Sequence, residues 1–164
     1  MNKSEQPTVS LRQMTEDEFA DWRPRSIESF ASDLAQAMNR PLDAARLRAQ
    51  AQFDEEWLSS GIKTPGTWLM QILNEDSVRV GTLWIGPHPQ RQGAAFVYDI
   101  EIQETARRHG YGRAAMLAAE VLVRSAGINE LSLSVFGFND AAKRLYDSIG
   151  YRVLTMQMTK SIPL

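Results

Sequence analysis

Apolar positions recur with two different periods along the chain, and the switches between them mark its elements. Val9 to Met14 alternates in steps of two and predicts a first strand. Thr15-Glu16-Asp17-Glu18 reads as a capping box, a threonine at the N-cap with a glutamate three residues later, and predicts a helix from there to about Asn39. Pro24 falls inside that helix, where proline removes a hydrogen bond and crowds the preceding turn, so a break or kink is expected near Arg23-Pro24. Arg40-Pro41-Leu42-Asp43 is a second stop, and a further helix is expected from Asp43 to Ser59, ending at Gly61. Thr67 to Leu73 and Val78 to Ile85 read as two strands joined by the turn Asn74-Glu75-Asp76-Ser77. Gly86 to Gly93, which contains His88, is a polar loop too rich in glycine and proline for ordinary sheet, and Phe96 to Ile102 resumes as a strand.

The second half repeats this alternation of periods. From Arg113 onward, Ala114, Leu117, Ala118, Val121 and Leu122 fall at helical spacing and predict a core-facing stripe. Glu120 and Arg124 form an outward pair, and Gly127 closes the helix. Leu131 to Val135 alternates strictly as a strand. A second helix is expected from Asn139, burying Ala142, Leu145, Tyr146 and Ile149 before Gly150, and Tyr151 to Lys160 reads as a final strand. Strand, helices, three strands, helix, strand, helix, strand is an α/β layout with a mixed sheet in one domain, residues 1–164, with 1–7 as a loose tail.

Composition narrows the function. A chain of 164 residues buries about two thirds of its unfolded surface and needs no covalent staple. The absence of cysteine excludes a disulfide framework, a thiolate metal site and a cysteine nucleophile. With only two histidines, His88 and His109, no metal site is expected. A net charge of −2 and a pI near 5.7 argue against a nucleic-acid binder. No apolar run approaches the roughly 18 residues of a membrane span and no signal peptide is visible, so the expected compartment is the cytoplasm.

The chemistry concentrates after the strand Phe96 to Ile102, where Arg107-Arg108-His109-Gly110-Tyr111-Gly112 leads into a helix. The first N–H groups of a helix lack internal partners and carry the positive end of its dipole, so they suit phosphate oxygens. Glycine there lets a ligand approach the backbone closely. The stretch matches neither G-x-x-x-x-G-K-[S/T] nor G-x-G-x-x-G, which leaves an ATPase or a dinucleotide enzyme without support, and the glycines alone would equally serve a simple turn.

Arg107-x-x-Gly110-x-Gly112, followed by Asn139, Ala142, Leu145-Tyr146 and Gly150-Tyr151, resembles the GNAT superfamily of acetyl-coenzyme A dependent N-acetyltransferases. The resemblance covers residues 78–160 and is thin before them. It implies a mixed central sheet with splayed central strands flanked by helices, with residues 8–66 as a variable acceptor-side region and 67–160 as the cofactor-binding core. It also implies that the cofactor pyrophosphate lies on the backbone N–H groups of Arg108, His109, Gly110, Tyr111, Gly112 and Arg113, while Arg107 either adds charge or caps the loop. The pantetheine arm would pair with the main chain of Ile100-Glu101-Ile102. Asn139 would touch the same arm while also serving as an N-cap. Tyr146 corresponds to the general acid that protonates the departing thiolate.

Asp99 and Glu101 stand two apart in a strand and so share one face. Two carboxylates there are costly unless they meet water, a cation or a hydrogen-bond donor. One reading is that they attract a cationic amine and help deprotonate it; the other is that an arginine or solvent holds them. In polyamine-type members of the resembling family an acidic pair sits here, its second acid at Asp99 and its first at Tyr98, a departure that leaves open which carboxylate takes the proton. Trp22, Phe30, Phe53 and Trp57 fit either core contacts or the wall of an acceptor groove. The reading is transfer of an acetyl group from acetyl-coenzyme A to a primary amine of a small molecule or peptide by direct attack, with no metal; a homodimer is compatible with it. The alternative is a non-catalytic acyl-coenzyme A sensor on the same fold.

Overall fold

The capping box at Thr15 forms in full in the computed structural model, which describes residues 6–163. Glu18 N–H donates to Thr15 Oγ1 at 3.2 Å, and Thr15 N–H donates to the Glu18 carboxylate at 2.9 Å. Strand β1 (Ser10–Gln13) precedes it and helix α1 (Glu16–Met38) follows. Of the break or kink expected near Arg23-Pro24, the break does not occur. The helix runs on for 23 residues because its buried residues Trp22, Ser26, Ile27 and Ala31 flank the proline on both sides and hold both halves to the core. In the disturbed turn, Arg25 Nε donates to the Asp21 carbonyl at 3.0 Å. Helix α2 (Leu42–Ala51) passes directly into a wider π-type stretch, Gln52–Trp57, so the predicted second helix is continuous with its last turns loosened.

Strands β2 (Trp68–Leu73), β3 (Arg79–Pro87) and β4 (Ala95–Ile102) follow, then helix α3 (Tyr111–Ser125), strand β5 (Leu131–Leu133) and helix α4 (Asp140–Ser148). The sheet order is β1-β2-β3-β4-β5, antiparallel as far as β4 and parallel between β4 and β5, the mixed sheet that the element order implies.

One irregularity decides where the functional side chains point. Trp84 pairs with Asp99 and Ile85 with Val97, so Tyr98 is an extra residue in β4, a β-bulge. Val97 and Ile100 therefore both join one face of the sheet, while Tyr98 and Asp99 both turn to the other. The first face is aliphatic, with Met70, Ile72, Leu83, Ile85 and Val97 packed on Ala115, Met116, Ala119 and Val123 of α3. The second is aromatic, with Trp84 and Tyr98 meeting Trp22, Phe53 and Trp57 of the early helices.

Three sequence expectations are corrected here. The buried face of α3 is Ala115, Met116, Ala119 and Val123, whereas Leu117 and Val121 are 38% and 60% exposed. The helix is apolar around most of its circumference, so two stripes one residue apart fit the helical period equally well. Tyr151 to Lys160 forms no strand: from Arg152 on the chain is exposed and makes no hydrogen bond to another described residue. An extended segment becomes a strand only beside a partner, and this one has none among the described residues. Strand β5 is likewise shorter than expected, ending at Leu133 rather than Val135. Along α4, Ala142, Leu145, Tyr146 and Ile149 do turn inward, but each is only half-buried.

Candidate active site

The parallel ladder between β4 and β5 is three pairs long, Ala95 with Leu131, Phe96 with Ser132 and Val97 with Leu133. Strand β4 runs on to Ile102 with no strand beside it on that side among the described residues, so the two strands open into a gap. The main chain of Ile100 and Ile102 borders this gap. Their side chains pack into the aliphatic face, and Arg107 Nε donates to the Ile102 carbonyl at 3.0 Å, tying the loop back to the strand.

The loop that follows is shaped for an anion. Arg108 and Gly110 both take positive φ, 63° and 86°, which turns the chain into the N-terminus of α3. The backbone N–H groups of residues 108–113 donate to no other described group, and α3 has no side-chain cap. They stand available at the positive end of a 15-residue helix. A Cβ on Gly112 would lie 3.3 Å from Leu145 Cδ2, so the glycine allows α3 and α4 to approach at the mouth of the gap. The local chemistry thus fits a pyrophosphate. The rings of His109 and Tyr111 lie tilted to each other beside the loop, 6.4 Å apart, and His109 Nδ1 lies 3.3 Å from the Ala106 carbonyl. The Arg113 side chain turns away to α4, donating to Ser148 Oγ at 3.1 Å.

Asn139 caps α4, accepting the Ala142 N–H on Oδ1 at 3.1 Å. One turn into that helix, Tyr146 is half-buried with its ring 5.8 Å from that of Tyr151. Burial, and after it the charge of Asp99, raise the Tyr146 pKa and keep the phenol protonated.

Asp99 sits on the aromatic face, where Ser26 Oγ of α1 donates to its carboxylate at 3.3 Å. Burial first, and then the neighbouring charge of Glu101, push its pKa to about 7. The charge of Asp33 acts in the same direction, while hydrogen bonds from Ser26 and Trp22 act against it. Glu101 is exposed at the rim. The structure thus brings Asp99 and Glu101 to one face, as their spacing requires, and sets the Asp99 charge within reach of Tyr146. No arginine pairs with either acid among the described residues.

Sequence reasoning missed Ser26 and Asp33. The available signal for Ser26 was a small polar residue within the apolar stripe of α1, four residues after Trp22. Of the four early aromatics, Trp22 and Phe53 are buried, while Phe30 and Trp57 are partly so. Tyr98 stacks on Trp84 at 4.7 Å. Beyond it a cavity of about 340 Å³ is lined by Glu56, Trp57, Thr67, Pro87, His88 and Tyr98. His88 organises its own loop, its Nδ1 accepting the N–H groups of Gln90 and Arg91 at 3.0 Å each. Among the described residues no group of three metal-ligating side chains occurs, and no helix is long and apolar enough to cross a membrane.

Comparison with known proteins bears on the whole arrangement. The family model described as the acetyltransferase (GNAT) family matches residues 14–151. A Bacillus subtilis protein named as an uncharacterised N-acetyltransferase, YycN, is 32% identical over 157 residues, 94% of this chain and 99% of its own. Its crystal structure superposes with a TM-score of 0.88 over 96% of this chain and 100% of that one, at 30% identity. The mycothiol acetyltransferase of Thermobispora bispora is 36% identical over 88 residues, 49% of this chain and 30% of that protein. The fold is shared, at 15% identity and a TM-score of 0.59 over 95% of this chain and 99% of that one, with AAC(6')-Iy in complex with a coenzyme A bisubstrate analogue. The loop, the opened strands and these likenesses agree, and the chain belongs to the GNAT family of acetyl-coenzyme A dependent N-acetyltransferases.

Proposed function

We propose that the chain acetylates a primary amine that arrives as a cation, carried by a small molecule or a peptide, with Asp99 taking the proton and Tyr146 giving one back. The observation that carries this reading is the gap between β4 and β5. It has unsatisfied loop N–H groups at one end and, where the bulge turns β4, a half-buried carboxylate within the field of a phenol.

In this reading the N–H groups of residues 108–113 hold the pyrophosphate of acetyl-coenzyme A, and the main chain of Ile100, Glu101 and Ile102, with Asn139, borders its arm. Acetyl-coenzyme A supplies an acetyl group already activated as a thioester. Glu101, exposed at the rim, and Asp33 and Asp99 behind it favour a cationic acceptor over a neutral or anionic one. An ammonium cannot attack a carbonyl, so its proton must leave first. Asp99, with a pKa of about 7, is ionised for roughly half of the molecules at neutral pH and can accept that proton directly or through one water. Tyr146 keeps its proton throughout this range and can deliver it to the departing sulfur. The absence of cysteine agrees with direct attack and no acyl-enzyme.

The test begins with thermal unfolding in acetyl-coenzyme A, coenzyme A, ATP and NAD, each separately. A ligand at about 100 times its dissociation constant adds roughly 2.7 kcal/mol, or roughly 5 to 10 °C in midpoint at this chain length. Only the two coenzyme A compounds are expected to produce the shift. A panel of mono- and polyamines followed by thiol release then identifies the acceptor; activity confined to neutral or anionic acceptors would refute the cationic assignment.

A further inference from the structure

Aromatic rings at the margin of the buried core touch one another in an unbroken series. Phe96 and Tyr98 of β4 lie 5.0 Å apart between ring centres, Tyr98 and Trp57 5.4 Å, and Trp57 and Phe30 of α1 5.4 Å. Phe30 then lies 6.2 Å from Phe136, and Phe136 stacks on Phe138 at 5.6 Å. Phe136 and Phe138 follow β5, so the series begins on one of the two parting strands and ends beyond the other. Trp22, Phe53 and Trp84 beneath it are at most 3% exposed and form the core of this face. The outer rings stay partly open to solvent, Phe138 at 41%. Single exposed apolar residues need no explanation, but a contiguous patch of them does.

Local bonds fix both ends of the series. Lys143 Nζ donates to the Gly137 carbonyl at 2.6 Å and pairs with Asp140 at 2.8 Å, while the Phe136 and Phe138 carbonyls accept the N–H groups of Asn139 and Asp140. At the other end Tyr98 Oη donates to the Pro87 carbonyl at 2.9 Å, and the cavity of about 340 Å³ opens against Trp57 and Tyr98. That volume falls in the range of small-molecule sites, about 300–1,000 Å³. Rings and cavity belong to the face that carries Asp99. Tyr98 is the residue before it, turned the same way by the bulge. On α1, Ser26, which bonds Asp99, is followed by Phe30 and Asp33 at i+4 and i+7, along one side of the helix. The acids gather at one point, since the charges of both Glu101 and Asp33 act on Asp99. Among the described residues lining the cavity, Glu56 alone is acidic, and it is exposed. Such a layout suits one ammonium joined to an apolar body, whereas a linear polyamine needs acids spaced along its length.

On the reading that a cationic amine gives its proton to Asp99, we infer that the acceptor is a primary amine carried on an aromatic body. The body lies in the cavity against Trp57 and Tyr98, and Phe30, Phe136 and Phe138 extend the same wall toward the parting of β4 and β5. A flat ring can meet each of these side chains in the offset or edge-on contacts that aromatic groups favour, and it brings few rotatable bonds to be frozen. The early aromatics thereby divide by role: Trp22 and Phe53 serve the core, and Phe30 and Trp57 serve the wall.

Steady-state kinetics with acetyl-coenzyme A and three primary amines, phenethylamine, butylamine and putrescine, tests this. For the unaltered chain, kcat/KM for phenethylamine is expected to exceed that of either other amine at least about tenfold, within the range an apolar pocket can discriminate. Phe138→Ala, at an exposed position where little packing is lost, is expected to lower that ratio at least about threefold, and Phe138→Tyr, which keeps a ring, to restore it. Calorimetric titration of phenethylamine into the coenzyme A-bound chain gives a reading free of turnover. Binding without turnover keeps the aromatic assignment and breaks the proton transfer to Asp99, so the two readings fail separately. Butylamine or putrescine turned over as well as phenethylamine overturns the aromatic body while leaving a cationic acceptor standing. Absence of both binding and turnover of phenethylamine overturns it too, as does a ratio that neither Phe138→Ala nor Trp57→Leu changes.

Discussion

The two faces of the sheet are built from different materials. The face beneath α3 is aliphatic and lined with alanine, so helix and strands pack closely, with the tyrosines Tyr146 and Tyr151 at its margin. The face beneath α1 and α2 is aromatic, with Trp22, Phe53, Trp57, Trp84 and Tyr98 in mutual contact, and it encloses Ser26 and the Asp99 carboxylate. The first gives the rigidity that fixes the loop donors and the α3 N-terminus. The second combines apolar bulk, which raises a carboxylate pKa, with an irregular shape that leaves a cavity beside Trp57 and Tyr98. The difference teaches that, in this account, cofactor binding and proton transfer have separate supports in one sheet and are separable by mutation.

The largest effect is expected at Asp99. Asp99→Asn should lower turnover by about 10² to 10⁴, the usual range for a lost general base, while acetyl-coenzyme A binding stays within about twofold of the unaltered chain. Equal turnover would make the carboxylate a mere structural group. Trp84→Ala should then cost about 3–5 kcal/mol by denaturant titration, because the indole is almost fully buried and touches Trp22, Phe53 and Tyr98. Met116→Ala on the other face should cost about 2–5 kcal/mol, with the smaller cavity placing it lower in that range than the tryptophan variant.

A pH series sharpens the contrast further. The pKa of Asp99 rises from its ordinary 3.8 to about 7 in the folded chain, so between these values the unfolded chain binds fewer protons than the folded one. Stability from this residue is therefore present at low pH and is lost as pH rises toward 7. Asp99→Asn should accordingly be more stabilising at pH 8 than near pH 4, by about 3–4 kcal/mol. For the unaltered enzyme, kcat/KM should climb through pH 7 to a plateau as the base ionises. A flat profile between pH 6 and 8 would contradict that assignment. The smallest effect is at the capping box, remote from both faces: Thr15→Ala should cost about 1 kcal/mol with turnover unchanged.

How much of this the sequence could show follows from how local each feature is. The Arg107 to Gly112 loop, the capping box at Thr15 and the N-cap at Asn139 are read from a few adjacent residues, and each appears where expected. The carboxylates at Asp99 and Glu101 share a face because strand periodicity is local too. The bulge at Tyr98 is not local: it arises from register against Trp84 and Ile85, and only there do Tyr98 and Asp99 turn the same way. Ser26 and Asp33 come near Asp99 through the docking of α1 on the sheet, which no neighbouring residue announces. The buried stripe of α3 lies one residue from the expected one because that helix is apolar on nearly every side, and periodicity cannot choose between Leu117 and Met116. Pro24 lies in an unbroken helix because tertiary packing outweighs a local penalty.

The most direct test is a calorimetric titration of acetyl-coenzyme A into three proteins: the unaltered chain, Gly112→Val and Asp99→Asn. The valine would press on Leu145 where α3 meets α4 and crowd the loop donors, with the fold monitored by near-ultraviolet circular dichroism. The division of labour predicts binding weakened at least about tenfold in Gly112→Val and unchanged in Asp99→Asn. Undiminished binding by a folded Gly112→Val, or binding lost in Asp99→Asn, would contradict it.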